Sequence, residues 1–378
     1  MTLHSPRIRV GIAGTALAAL ALAVAGCGSS SSTKSTSGAS TSAATSGNGP
    51  MVALLLPENQ TARYETHDKP DFQAKLTQAC PTCKLLYSNA TQDATKQQSQ
   101  ADAALTQGAK VLVLDPVDAG SAVAIVAKAK ARNVPVISYD RLINNADITY
   151  YVSFDNAGVG KLQATALDAK LKTLGKATGP IIMINGDPAD NNAKLFKQGA
   201  MGQFKTDGVK IAKQYDTPGW LGSNAQNEAQ QAITALGNGG FAAIYGANDD
   251  MAEGGIAAMK SAGIDPKTRP TTGQDASLAG VQRILDGTQF MTVYKAVTTE
   301  AQDTAQLAGA LAQGQQPPAG LVNQQTNNGM KSVPSVILTP VAVTSTNIKD
   351  TVVKDNFWKV SDICTSAYAA ACKKAGIQ

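Results

Sequence analysis

The sequence predicts an α/β architecture of two doubly wound parallel-sheet lobes, and three observations carry that expectation. Short apolar runs that read as buried strands alternate with helix-like stretches at a spacing of roughly 25 residues, the rhythm of βαβ units. The runs are too many for one compact sheet, and the chain is long enough for two domains of ordinary size. Nearly every run ends in Asp, Asn, Gln or a base rather than in small turn residues.

In the first half, Val52–Leu56 (VALLL) reads as a strand and Asp68–Ala79 as a helix, followed by strand Lys84–Ser88 (KLLYS) and the polar helical stretch Asp93–Gln107. Lys110–Pro116 (KVLVLDP) leads into a helix whose Val123, Val126, Ala127 and Ala131 are expected to share the buried face. Strand Val134–Asp140 (VPVISYD) and the run Tyr150–Asn156 (YYVSFDN) close this half.

The second half repeats the pattern. Helix Ala157–Lys172 precedes strand Gly179–Gly186 (GPIIMING), helix Asn191–Thr206, strand Val209–Tyr215, helix Ser223–Leu236 and strand Phe241–Ala247 (FAAIYGA). Helix Asp250–Ala262, a weak strand at Thr271–Asp275 (TTGQD), helix Ser277–Leu285, strand Phe290–Lys295 (FMTVYK) and helix Val297–Ala312 follow.

The N-terminal segment bears on the compartment. Arg7 and Arg9 form a basic head, Val10–Ala25 is apolar and too short to span a bilayer comfortably, and the run ends in VAGC, Val24–Cys27. The stretch resembles a bacterial lipobox, which implies cleavage before Cys27, lipid on its sulfur and an extracytoplasmic body anchored to the cell membrane. The Ser/Thr/Gly/Ala-rich stretch that follows, to Pro50, has no residues able to anchor a core and reads as a tether.

Composition narrows the function classes. The net charge of +5 is scattered, with no basic stripe interleaved with aromatics, so nucleic acid is not an expected partner. An exported chain favours disulfides: Cys80 with Cys83, and Cys364 with Cys372. CPTC follows a helix-like stretch rather than opening one, as redox motifs do, and one histidine in the mature chain, His67, is too few for a zinc site. No metal or cofactor is expected. DNAGVGKL (Asp155–Leu162) lacks the first glycine and the final Ser/Thr of a phosphate loop. No serine sits in a G-x-S-x-G elbow, and a glycosidase pair would need a carboxylate separation that sequence does not supply, so no enzyme is expected.

Ligands of open parallel sheets bind beyond the carboxyl ends of the strands. The residues at those tips are Asp115, Asp140, Arg141, Asp155, Asn156, Asp187, Asp190, Asn192, Asn248, Asp249, Gln274, Asp275 and Lys295. Helix capping accounts for single Asp or Asn residues. It does not account for Arg141 or Lys295, which carry positive charge to the positive end of a helix. Carboxylates, amides and cations together suit a neutral polyhydroxylated ligand, because hydroxyls both donate and accept. Tyr64, Phe196 and Trp220 supply rings for the apolar faces of a sugar.

The stretches SYDRLI, DNNAKLF, NDDMAEGG, TGQDASLAGVQRI and MTVYK resemble the D-xylose-binding proteins of bacterial ABC importers, within the ribose- and galactose-binding family of type I periplasmic binding proteins. The likeness runs from Val52 to about Trp358. It implies two lobes joined by a three-strand hinge, crossing near Asp155, Lys295 and Ile337–Thr339, and closing on a monosaccharide, D-xylose foremost. It implies sugar contacts from Arg63, Asp140, Arg141, Asp190, Asn192, Asn248, Asp275 and Lys295, with Trp220 and Tyr64 on the ring faces. Tyr64 stands where tryptophan is common and offers a smaller platform with a hydroxyl.

The expected organisation is a signal segment 1–26, a tether 27–50, a first lobe 51–155 plus 296–335, a second lobe 156–295 plus 336–360, and a C-terminal extension 361–378. The implied partners of this monomer are an ABC permease with its ATPase subunit. A sugar-sensing receptor for glucose or ribose is the alternative from a different class.

Overall fold

The structure, a computed structural model, describes residues 49–377. The expected signal segment, the lipidated Cys27 and nearly all of the tether lie outside the described residues.

The first lobe begins with β1 (Met51–Leu56), α1 (Lys69–Ala79), β2 (Lys84–Asn89), α2 (Ala94–Thr106), β3 (Ala109–Leu114), α3 (Ala122–Lys130), β4 (Val136–Tyr139) and β5 (Tyr150–Phe154). β1 is buried on both faces because its side chains alternate between two cores. Val52, Leu54 and Leu56 pack with Phe72 and Leu76 of α1, whereas Ala53 and Leu55 face Ala101, Ile125 and Ala129 of α2 and α3. α3 buries Ala122, Ile125, Val126 and Ala129. That face is turned from the expected Val123–Val126–Ala127–Ala131 set, because Ile125, bulkier than Val123, takes the sheet side.

The chain crosses at Asp155 into α4 (Asn156–Thr173), β6 (Ile181–Asn185), α5 (Asn191–Asp207), β7 (Ile211–Asp216), α6 (Gly222–Leu236), β8 (Ala243–Gly246), α7 (Asp249–Ser261), α8 (Leu278–Asp286) and β9 (Thr292–Tyr294). β7, β6 and β8 form a parallel sheet in that order. The expected strand Thr271–Asp275 reduces to a single bridge between Thr271 and Ile244. α4 and α5 pack closely, and a side chain on Gly160 would place its Cβ 1.9 Å from the Phe196 carbonyl oxygen.

After Lys295 the chain returns. α9 (Val297–Ala312) lays Ala301, Ala305 and Ala308 on the same face of the first sheet as α1. β10 (Gln324–Asn327) and β11 (Ser332–Leu338) complete a seven-stranded sheet ordered β10-β11-β5-β4-β3-β1-β2, antiparallel only at β10. β11 stays in register with β5 through Leu338, opposite Phe154, so Val336–Leu338 belong to the first sheet rather than to the second lobe. The crossing falls at Thr339–Pro340, because proline cannot donate to a ladder. β12 (Val341–Val343) then pairs antiparallel with β9.

The C-terminal segment holds a π-helical turn Lys349–Val353, α10 (Val360–Ile363) and α11 (Ala369–Lys374). Disulfides join Cys364 to Cys372 and Cys80 to Cys83. Phe357, Ile363, Cys372 and Ile377 pack on Val281 and Ile284 of α8, so the extension is a cap on the second lobe.

Candidate binding site between the lobes

β4 delivers two opposite charges at its tip through an abrupt turn. Arg141 N donates to the Tyr139 carbonyl at 2.6 Å around Asp140, whose φ is 54°. This γ-type turn is strained for most residues and tolerable for Asp. Ser153 Oγ and Asn192 Nδ2 hold it by donating to the Asp140 carbonyl at 2.6 and 3.1 Å.

Three buried cations converge there. Arg63, just before the π-helical turn Tyr64–Asp68, pairs with Asp68 at 2.7 Å, Glu300 at 2.8 Å and Asp140 at 3.4 Å. Lys295, at the end of β9, lies 3.6 Å from Asp140 and 3.4 Å from Asp275. Arg141 Nε lies 3.0 Å from Asp190 and 3.5 Å from Asp115, while its Nη2 donates to the Tyr64 hydroxyl at 3.3 Å.

The second lobe brings the opposing wall from helix N-termini. Asp190 caps α5 by accepting from Asn192 N at 2.7 Å, and its other oxygen accepts from Trp220 Nε1 at 3.1 Å. Asn248 caps α7, accepting from Met251 N at 2.9 Å. Trp220 (φ 54°) and Asp275 (φ 84°) hold left-handed backbone, a concentration typical of functional loops. Gly186 makes room for the indole, since a Cβ there would lie 1.9 Å from Trp220 Cη2.

Burial and charge decide the protonation of the cluster. Burial opposes ionisation of Asp140, but Lys295, Arg63 and Arg141 outweigh it and hold that carboxyl at about 2. Burial pushes Asp115 and Glu300 well above the ordinary carboxylate range, and raises Asp190 against the pull of Arg141. The three cations therefore meet more carboxyls than they can neutralise, and burial disfavours the charged form of Asp115, Glu300 and Asp190. A wall of cations paired with carboxyls, offering both donors and acceptors, fits a neutral ligand carrying several hydroxyls.

All ten residues expected at the site line one cavity of about 290 Å³: Arg63, Tyr64, Asp140, Arg141, Lys295 and Asn192 with Asp190, Trp220, Asn248 and Asp275. Thr61, Phe196 and Gln274 complete the lining. Phe196 stands edge-on to Trp220 with ring centroids 6.5 Å apart. Phe196 and Gln274 carried a signal as an aromatic near a tip loop and as a strand-tip amide; Thr61 carried none. Behind the wall, Glu300 anchors Arg63 from the first turn of α9, a position with no strand-tip signature. Of the other tip residues, Asp155 accepts from Gly158 N, Asp187 from Ala189 N and Asp249 from Ser277 N, whereas Asp115 faces Arg141 and Asn156 donates to Asn192 Oδ1 at 2.9 Å.

Residues 52–316 match the family model described as periplasmic binding protein domain. The chain is 40% identical over 284 residues to the D-xylose-binding periplasmic protein of Escherichia coli (strain K12), covering 74% of this chain and 83% of that one. It is 31% identical over 329 residues to the multiple sugar-binding periplasmic receptor ChvE of Rhizobium radiobacter, covering 82% of this chain and 92% of the receptor. Among solved structures, a carbohydrate transporter solute-binding protein from Chloroflexus aurantiacus in complex with D-glucose superposes with a TM-score of 0.73 at 31% identity, over 82% of this chain and 97% of the other. In sequence and in overall fold, this chain belongs to the periplasmic binding protein family, type I.

Proposed function

We propose that this protein is the extracytoplasmic substrate-binding component of an ABC-type sugar importer, taking up a monosaccharide, D-xylose in preference, between two closing lobes and presenting it to the permease. The observation that carries the reading is the convergence of both lobes on one cavity that pairs hydroxyl-matching polar groups with the rings of Tyr64, Phe196 and Trp220. Asp140, Arg63, Arg141 and Lys295 come from the first lobe and the crossings, and Asp190, Asn192, Asn248 and Asp275 from the second. A sugar touching both walls gains its full set of contacts only when they close, so binding and closure are coupled. The 40% identity to a D-xylose-binding relative supports the choice of pentose.

A panel of pentoses and hexoses in a thermal-shift assay tests the reading, because a ligand of the folded state raises its melting temperature. D-xylose should give the largest shift; a larger shift with D-glucose would move the preference to hexoses, and no shift with any sugar would sink the proposal. Anchoring through lipid on Cys27 is part of it: Cys27→Ser should move the protein from the membrane fraction to the soluble one. The same body could report sugar to a receptor, and interaction with a permease against a sensor separates the two roles.

A further inference from the structure

A second cavity, of about 350 Å³, lies against the first and shares Thr61, Arg63, Asn248, Gln274 and Asp275 with it. Its far wall comes from His67 and from Phe357–Trp358 of the C-terminal segment, none of which lines the first chamber. His67, on the π-helical turn of the first lobe, stacks on Phe357 at 4.0 Å and meets Trp358 edge-on at 4.8 Å. Trp358 is half-buried and is held by its Nε1 donating to the Ala276 carbonyl at 2.8 Å, beside Asp275.

Two buried polar groups at this space are unspent. His67 is only 9% exposed, yet its Nε2 has no hydrogen-bond partner among the described residues, and the same holds for Gln274 Oε1, whereas Asp275 Oδ1 is already paired with Lys295 at 3.4 Å. Asp250 adds a carboxylate from the start of α7. Buried polar atoms without partners are costly unless a ligand completes them.

We propose that this chamber is a second sugar subsite, so that the protein accepts a disaccharide of pentopyranoses with one ring in each cavity. The inference rests on the sugar reading of the first chamber. Aromatic surface beside several acceptors and an imidazole nitrogen matches a second ring, with its C–H face and its hydroxyls. A purely apolar substituent would leave Gln274 and His67 unpaired.

Calorimetric titration with D-xylose and with β-1,4-xylobiose tests it on the wild type and on Ala62→Trp, which crowds the second cavity from an exposed position. The expected result is xylobiose affinity within tenfold of D-xylose in the wild type. Ala62→Trp should weaken xylobiose at least tenfold while leaving D-xylose within twofold. Asp250→Asn, at a half-buried position, provides a second variant and should weaken xylobiose alone. Binding of D-xylose without measurable binding of xylobiose would overturn the subsite and leave the monosaccharide reading intact. So would equal weakening of both sugars by both variants. Failure of D-xylose itself to bind would overturn the subsite together with the preference for D-xylose.

Discussion

Asp140 and Arg141 are neighbours in the chain, yet their charges serve different partners. Asp140 faces Arg63 at 3.4 Å and Lys295 at 3.6 Å, whereas Arg141 Nε faces Asp190 at 3.0 Å across the cleft. The γ-type turn between them sends one side chain toward the crossing strands and the other toward the N-terminus of α5. Arg141 thus spans the lobes, and Asp140 ties the hinge-side cations together.

Arg141→Ala should lower sugar affinity by about 2–4 kcal/mol, since hydroxyls in a closed chamber lose a charged partner. The ligand-free protein should lose stability too, by up to about 3–5 kcal/mol, because Asp190 and Asp115 lose their counter-charge. Arg141→Lys should recover most of the stability but little of the affinity, as an ammonium cannot reproduce the guanidinium fork. Calorimetry and denaturant titration separate the two effects. Undiminished sugar affinity in Arg141→Ala would remove this residue from the site.

Gly186→Ala should displace the Trp220 indole, whose Cη2 would lie 1.9 Å from the new Cβ, and break its 3.1 Å bond to Asp190. The expected outcome is at least a tenfold loss of affinity with a red-shifted tryptophan emission. Only two tryptophans, Trp220 and Trp358, contribute to that signal, so Trp358→Phe in the same background isolates it.

Asp250 should make stability fall as pH rises. Burial, reinforced by the neighbouring Asp249 carboxylate, pushes its carboxyl up to about 7. The folded protein keeps a proton that the unfolded chain releases near pH 4, so the contribution is fully present below that pH and is lost as pH rises through about 7. Melting temperatures from pH 4 to 8 should therefore decline for the wild type relative to Asp250→Asn. A constant difference between the two proteins across that range would refute the assignment.

Closure should be visible in solution. D-xylose should reduce the radius of gyration measured by small-angle scattering, because contacts to both walls form only in the closed state. Identical scattering curves with and without saturating sugar, under conditions where calorimetry finds binding, would exclude a hinge mechanism.

The strands and helices were legible because buried parallel strands must be continuous apolar runs and helices need amphipathic faces between polar ends. β1 and β6 satisfy the first condition so fully that neighbours hardly matter. Strand-tip chemistry also carried through to the chamber, since the carboxyl end of a parallel sheet gathers whatever the tips bear. Tertiary packing decided the rest. Glu300 became the anchor of Arg63 only when α9 returned to the first sheet, a pairing across 237 positions that no local pattern encodes. The third crossing moved to Thr339–Pro340 because β11 keeps its register with β5 to Leu338, and register depends on the partner strand. Phe357 and Trp358 reached the second cavity because the C-terminal cap packs on α8, where apolar burial, rather than any motif in the segment, fixes its place.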